Sequence, residues 1–149
     1  MHYHKPYNNI INKVMEVESV NNKSIYLKAF NNQFIEFLDD IDRIIPNNSD
    51  IITMKNALTR LKKANPKLIL TMWYKWVVTQ YGDKVETGDY EFFINKDYKA
   101  DWDGYKHEGP ILDAIDRMRT IVRDCDDNNK ETALQYVKNL CGLSKMYIE

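Results

Sequence analysis

The chain has 149 residues and a formal net charge of −1, with 44% hydrophobic and 29% charged residues. This length supports one domain with a sizeable core, and this composition is globular, which excludes a disordered chain. The small net charge also excludes a polycation that coats nucleic acid or membranes with its whole surface. We predict a single domain over residues 1–149, in which residues 1–7 form a flexible N-terminus.

Cysteine usage and hydropathy indicate the compartment. The only two cysteines, Cys125 and Cys141, are too few for the disulfide framework of a small secreted domain, and we expect free thiols. The longest apolar stretch, Leu68 to Val78, is interrupted by Thr71 and Lys75 and is shorter than the roughly 20 residues of a membrane span. The N-terminus carries no apolar signal segment. The sequence therefore predicts a soluble, intracellular protein that is neither secreted nor bound to a membrane.

Helical periodicity dominates the chain and appears first in two N-terminal segments. Residues 8–18 predict a first helix, because five apolar residues recur there at helical spacing. Ser24 to about Ile45 predicts a second helix with a single apolar stripe. Pro46 ends this helix, and Asn47 and Asn48 form the turn after it. The stripe consists of Leu27, Phe30, Phe34, Phe37, Ile41 and Ile44.

Two further helices are predicted on either side of Asn65. Ser49 is a suitable N-cap, and the apolar residues after it are spaced three and four apart, which predicts a third helix. Asn65 as a cap and Pro66 at the first helical position predict a fourth helix over residues 66–81, which Gly82 ends. Apolar residues lie nearly all round this fourth helix, as is typical of a buried central element.

The C-terminal part predicts two long helices after an irregular stretch. Asp89 caps a short helix, and residues 97–109 form an exposed loop. Pro110 opens a helix with one apolar face, and Asp127 to Asn129 cap the last helix. We find no strand pattern and no repeat. The predicted fold is all-α, a single compact bundle of five to seven helices around the apolar helix at residues 66–81.

The aromatic residues of the central helix have two interpretations. Trp73 and Trp76 are three residues apart and share one helical face, which must be buried against something. Core packing is the simpler interpretation. A docking surface for a partner is the alternative, because aromatic side chains anchor many interfaces.

Two patterns resemble metal sites but have simpler explanations. His2 and His4 form an HxH pair at a chain end, where disorder is the usual state. The acids around Gly104 resemble a calcium loop. Aligning Gly104 with the glycine of an EF-hand, however, places Lys99 and Pro110 where the ion needs carboxylates. We therefore predict no metal site.

Reactive-site signatures are missing from the sequence. Cys125 lies between Asp124 and Asp126, whose charges raise the pKa of its thiol and disfavour a nucleophilic thiolate. The chain contains no GxSxG, no HExxH, no CxxC and no Gly-rich phosphate loop. We therefore predict no catalytic residue and no cofactor, that is, a protein that is not an enzyme.

Charge is segregated in the middle of the chain. Residues 51–82 contain six basic residues and no acid, whereas residues 83–103 contain seven acids and three lysines. The basic stretch predicts a contact with nucleic-acid phosphates or an acidic partner. The simpler interpretation is that lysines near a helix C-terminus complement the helix dipole and keep its face solvated. The candidate contact residues are Lys55, Arg60, Lys62, Lys63 and Lys67.

Five short segments together resemble a viral protein family. They are residues 34–40 (FIEFLDD), 62–69 (KKANPKLI), 88–98 (GDYEFFINKDY), 111–116 (ILDAID) and 136–140 (YVKNL). In this order they resemble short, uncharacterised α-helical proteins of large DNA viruses that infect algae and protists. The resemblance spans about residues 30–147. It implies a viral origin and a place in the host cytoplasm, the nucleus or the virion, and it assigns no site residue.

The resemblance and the segregated charge together lead to two functional expectations. The first is a non-enzymatic structural or protein-interaction protein of a large DNA virus, for example a capsid- or core-associated virion component. Its partners would be viral structural proteins or further copies of itself. The alternative is a nucleic-acid-binding factor that uses the basic segment 55–67.

Overall fold

The computed structural model describes residues 6–89 and 109–149, with side chains described for residues 22–89 and 116–149. Within these ranges the chain is helical and contains no strand, which confirms the predicted all-α bundle. Counting the uninterrupted central segment once, this part of the chain has five helices. The elements are α1 (Pro6–Ile44), α2 (Ser49–Ala64), α3 (Leu68–Trp73), a π-helical turn (Tyr74–Val78), α4 (Thr79–Glu86), α5 (Gly109–Asp124) and α6 (Asp127–Ile148).

Helix α1 replaces the two N-terminal helices that the sequence predicts. It runs for 39 residues without a break, so the predicted division between residues 18 and 24 is wrong. The physical reason is that no glycine or proline follows Pro6 within the helix, and the polar residues between the two apolar patterns do not by themselves break it. The predicted turn at Pro46 is confirmed. Asn47 there adopts a left-handed backbone conformation with a φ of 64°.

The N-cap of helix α2 lies one residue earlier in the chain than predicted. The N-cap is Asn48, whose side-chain oxygen accepts hydrogen bonds from the backbone N–H groups of Asp50 at 2.9 Å and Ile51 at 3.2 Å. The prediction of Ser49 as the cap is therefore wrong. Ser49 is the first helical residue, because the neighbouring asparagine is at least as good a cap and has the extended backbone that a cap requires.

Helix α6 shows the same displacement of its cap. Asp126 is the N-cap, and its carboxylate accepts a hydrogen bond from the backbone N–H of Asn129 at 2.8 Å. The predicted cap within Asp127–Asn129 is wrong by one residue. Asp127 instead lies in the first turn, where its negative charge favours the positive end of the helix dipole.

The central helix is made of α3, the π-helical turn and α4. It starts later than predicted, because Asn65 caps the C-terminus of α2 and its N–H donates to the carbonyl of Leu61 at 2.8 Å. It also continues past Gly82 to Glu86, so both predicted ends are wrong. Gly82 is buried inside the helix, and the left-handed glycine that follows the helix is Gly88, with a φ of 77°.

The π-helical turn lies in the most deeply buried part of this helix. The N–H of Thr79 donates to the carbonyl of Tyr74, five residues earlier, which inserts one extra residue into the turn. Three consecutive residues of that turn are buried: Trp76, Val77 and Val78. The prediction of a central apolar helix is thus confirmed.

The core forms where α1 crosses the central helix. Trp73 packs edge-on against Phe30 and Phe34, with ring centroids 6.4 and 6.0 Å away, and all three side chains are almost fully buried. Since Trp76 is also buried, the core interpretation of the two tryptophans is confirmed. The remaining fully enclosed residues come from every helix from α1 to α3 and from α6: Leu38, Ile41, Ile51, Leu58, Ile69, Leu70 and Leu140.

Helix α6 packs along the second half of α1. The rings of Phe37 and Tyr136 stack with centroids 5.0 Å apart, and the Asn139 amide donates to Gln33 at 2.8 Å. Near the C-terminus of α6, Lys145 forms an ion pair with Glu86 of α4. These contacts hold α6 against both α1 and the central helix.

Several predictions concern residues outside the described part of the chain. They are residues 1–5 of the predicted flexible N-terminus with the His2 and His4 pair, the short helix after Asp89 and the acidic loop around Gly104. The last two residues of that N-terminus, Pro6 and Tyr7, lie at the start of α1. Among the described helices, none is both long enough and apolar enough to cross a bilayer.

Candidate functional sites

The structure gathers four of the five predicted contact residues at one place. Arg60, Lys62 and Lys63 lie near the C-terminus of α2, and Lys67 lies in the turn that follows. Arg60, Lys63 and Lys67 are exposed, and Lys62 is half-buried. We call these four residues the basic end.

Lys55, the fifth predicted contact residue, is placed differently. It lies near the middle of α2 and forms an ion pair with Asp39 of α1. Its charge is therefore already compensated inside the molecule, and it joins α2 to α1. The geometry separates Lys55 from the basic end, a distinction that the linear charge pattern does not make.

The charges of the basic end are not compensated within the described part of the molecule. None of its four residues forms an ion pair with any residue that the structure describes. The negative end of the α2 dipole lies beside them and offsets part of the charge, as the simpler interpretation holds. A dipole end is equivalent to roughly half a charge, so it cannot balance four cations.

A buried asparagine fixes the basic end to the core. Asn31 of α1 is only 4% exposed, and its amide nitrogen donates to the carbonyl of Pro66 at 2.9 Å. The turn is further closed by the N–H of Leu68, which donates to the carbonyl of Asn65 at 3.2 Å. Lys67 and the last turn of α2 are thus held in a defined position.

Asn31 is a residue that the sequence analysis missed. It follows Phe30 within the apolar half of α1, and a polar residue at such a position is the signal that could have identified it. Its carbonyl oxygen is buried and has no hydrogen-bond partner among the described residues. The hydrogen bond from its amide nitrogen to the Pro66 turn therefore offsets part of the cost of burying this side chain.

A second concave feature lies between α1, α5 and α6. It is a groove of about 300 Å³ at the C-terminal half of α1, and we call it the α1/α5/α6 groove. Its apolar lining includes Phe37, Ile41, Val122 and Ala133. The sequence analysis missed it because its residues come from three helices and are spread over about 100 positions.

The polar groups of the groove centre on Asp40. The Tyr136 hydroxyl donates a hydrogen bond to the Asp40 carboxylate, which also forms an ion pair with Arg43 three residues further along α1. Burial raises the pKa of Tyr136, and the nearby carboxylates of Glu36 and Asp39 raise it further, against an opposing effect of Arg43. The hydroxyl therefore stays protonated and acts as a hydrogen-bond donor at neutral pH.

Cys125 lies at the other side of the groove. Burial raises the pKa of its thiol, with further contributions from Asp126 and Asp124. The predicted effect of the two flanking acids is confirmed, and burial is the larger cause. The thiol lies 3.1 Å from the carbonyl of Ile121, to which it donates a weak hydrogen bond. A protonated thiol of this kind is a poor nucleophile.

Cys141 is enclosed in the core beside Trp73. Burial raises the pKa of its thiol to about 11, although the neighbouring indole N–H of Trp73 opposes the shift. Both cysteines are free thiols, as predicted.

The acidic residues where α5 ends and α6 begins have structural roles. Asp126 caps the helix, and Asp124 pairs with Arg123 at 3.4 Å. Among the described residues, no group of three or more histidines, cysteines and acids is arranged to hold a metal ion. The described residues accordingly form two candidate binding surfaces for a ligand or a partner, the basic end and the α1/α5/α6 groove.

Comparisons of the chain with family models, with curated proteins and with solved structures give no match. The viral family indicated by the five sequence segments remains a prediction.

Proposed function

We propose that the protein is a non-enzymatic protein-interaction protein that contacts an acidic surface of its partner through the basic end. The observation that carries this proposal is the group of four cations, Arg60, Lys62, Lys63 and Lys67, without an ion pair among the described residues. Cations grouped on the last turns of one helix and in the turn that follows repel one another, and an acidic partner relieves that repulsion.

The contacts that hold the basic end in a fixed position support a binding role. Asn31 holds the turn that carries Lys67, and the Lys55–Asp39 ion pair holds α2 against α1. A surface that is already in position loses less conformational entropy when a partner binds. Its charge, which no described residue pairs with, also attracts an acidic partner from a distance and raises the association rate.

The exposed face of α2 favours a protein as the partner. Ile52 is 43% exposed and lies eleven residues before Lys63, which places both on nearly the same side of the helix. A solvent-facing strip that combines an apolar side chain with cations suits a protein interface, whose centre is apolar and whose rim is polar. The proposal includes a viral partner, a structural protein of a large DNA virus or a further copy of this chain, on the basis of the five sequence segments.

Cross-linking mass spectrometry in cells that produce the virus tests this proposal with matched charge reversals. The test variant is Arg60→Glu/Lys63→Glu, and the control is Lys23→Glu/Lys28→Glu, which changes the charge equally on an exposed part of α1. We expect the test variant to lose its cross-links to acidic segments of a partner, while the control keeps them. If both variants keep the same cross-links, the basic end is not the contact surface.

Nucleic-acid binding by the same segment is the second candidate. Arg60 and Lys63 lie one helical turn apart and exposed, an arrangement that can contact neighbouring phosphates. Four phosphate contacts predict a slope of roughly −3.6 for affinity against salt on logarithmic axes, or about a hundredfold loss between 50 and 200 mM salt. Fluorescence anisotropy with a short DNA duplex measures this, and Lys62→Glu should weaken binding. A weak, salt-independent signal would exclude this candidate.

A further inference from the structure

The described lining of the α1/α5/α6 groove combines apolar side chains, which we call its floor, with the carboxylate of Asp40. Phe37 and Val122 belong to the floor, and Tyr136 lines one wall with its ring stacked on Phe37. Asp40 lies on the α1 side, where the Tyr136 hydroxyl holds its carboxylate. A carboxylate positioned next to apolar and aromatic surface is the arrangement that recognises an amine with a hydrophobic body.

We propose that this groove binds a small organic ammonium ion, with the apolar body on the floor and the charged nitrogen at Asp40. The proposal concerns residues that are separate from the basic end and does not depend on the function proposed above. A volume of about 300 Å³ lies at the lower limit of ligand sites in proteins. The ligand class is therefore compact, such as an arylalkylamine.

The sign of the ligand charge follows from the lining of the groove, to which Asp40 contributes a carboxylate. Burial is the main cause of the raised pKa of Tyr136 and of Cys125. Neighbouring carboxylates contribute to both shifts as well, with Glu36 first at Tyr136 and Asp126 first at Cys125. These acids add to the charge of Asp40 and favour a cation over an anion.

Arg43 is the internal competitor for Asp40. Its side chain is 74% exposed, and it reaches Asp40 as a surface pair three residues apart on one helix. Because the Arg43 side chain lies mostly in solvent, little free energy is lost when it turns away from Asp40 as a ligand arrives. An ammonium ion in the groove then takes the place of Arg43 at the carboxylate, and it also gains attraction to the ring of Tyr136.

NMR titration of the isotope-labelled full chain with three related probes tests the proposal. The probes are phenethylamine, its neutral analogue 2-phenylethanol and the anion phenylacetate. The test variant is Asp40→Asn, which keeps a side-chain acceptor for Tyr136 but removes the charge. The control is Glu131→Gln, which makes the same charge change on α6 at an exposed position that is next to the groove-lining Thr132 but is not itself part of the lining.

We expect saturable shifts at Thr132 and Ala133 with phenethylamine, and affinity at least about tenfold weaker in Asp40→Asn but unchanged in Glu131→Gln. Tyr136→Phe should keep most of the affinity, because the ring remains. Unchanged binding of 2-phenylethanol to Asp40→Asn shows that the groove is intact in that variant. Equal binding of phenethylamine and 2-phenylethanol, equal effects of the two charge changes, or no saturable shift at the groove would each overturn the proposal.

Discussion

Gly82 and Gly88 show how one residue type serves two different backbone requirements. Gly82 has helical neighbours on both sides, and an added Cβ would meet the Cγ1 of Val78 at 3.5 Å, an ordinary contact. Gly88 follows the end of α4 with a φ of 77°, and its N–H donates to the carbonyl of Val85 at 3.2 Å. Only Gly88 needs the conformational freedom of glycine.

Alanine at these two positions should therefore change stability in opposite directions. Gly82→Ala is expected to raise the free energy of unfolding by about 0.5–1 kcal/mol, because alanine restricts the unfolded chain and fits the helix. Gly88→Ala is expected to lower it by about 1 kcal/mol, because the left-handed conformation strains a Cβ. Urea denaturation followed by circular dichroism measures both. Changes of the same sign would contradict this assignment of the two glycines.

At the scale of the helices, the capping residue before the first helical turn decides where α2 and α6 start. Adjacent capping residues compete at the start of α2, where Asn48 accepts two backbone N–H groups and Ser49 becomes the first helical residue. Apolar periodicity predicts which segments are helical, but it does not distinguish between neighbouring capping residues.

Alanine substitution tests the cap of α2. Asn48→Ala should lower the free energy of unfolding by about 1 kcal/mol, because two N–H groups lose their acceptor. Ser49→Ala serves as the control and should change it by less than about 0.5 kcal/mol, since Ser49 is an exposed helical residue. Thermal and urea unfolding of both variants decide the point. If Ser49→Ala lowered the free energy of unfolding more than Asn48→Ala, Ser49 and not Asn48 would be the N-cap.

The helical faces were predictable, whereas several helix ends were not. The predicted apolar stripe is buried from Phe30 to Ile41, because a helix next to a core buries one side only. Its two ends differ from the prediction, since Leu27 is half-buried and Ile44 is 39% exposed. The π-helical turn in the central helix had no sequence signal. The continuity of α1 did have one, because no glycine or proline follows Pro6 within the helix, but the polar residues between the two apolar patterns wrongly indicated a break.

For the whole molecule, the buried thiol of Cys141 predicts a loss of stability in alkaline solution. Burial raises the pKa of this thiol from 9.0 to about 11. A pKa that is higher in the folded state means that folding favours the protonated thiol. Its contribution to stability is complete below the unfolded pKa of about 9 and is lost as the pH rises towards 11. The pKa values of Tyr136 and Lys145 are also raised, the latter by its hydrogen bond to Glu86, and their contributions fall in the same direction.

Urea denaturation between pH 7 and pH 11 measures this loss. We expect the free energy of unfolding to decrease above about pH 9, with Cys141 contributing on the order of 2 kcal/mol. The matched variant is Cys141→Ala, which removes the thiol from the same core position and should show a smaller decrease over this pH range. An identical pH dependence in the two proteins would exclude Cys141 as a cause.

The sequence by itself determined the all-α class, the central apolar helix and the burial of its two tryptophans. These properties follow from residue spacing within single helices, where apolar side chains three and four positions apart share one face. The tertiary structure alone decided which charges meet. It pairs Lys55 with Asp39 but leaves Arg60 and Lys63 without an ion pair among the described residues. It also brings Asp40 to Tyr136, 96 positions away, because contacts between helices depend on packing geometry that no local pattern encodes.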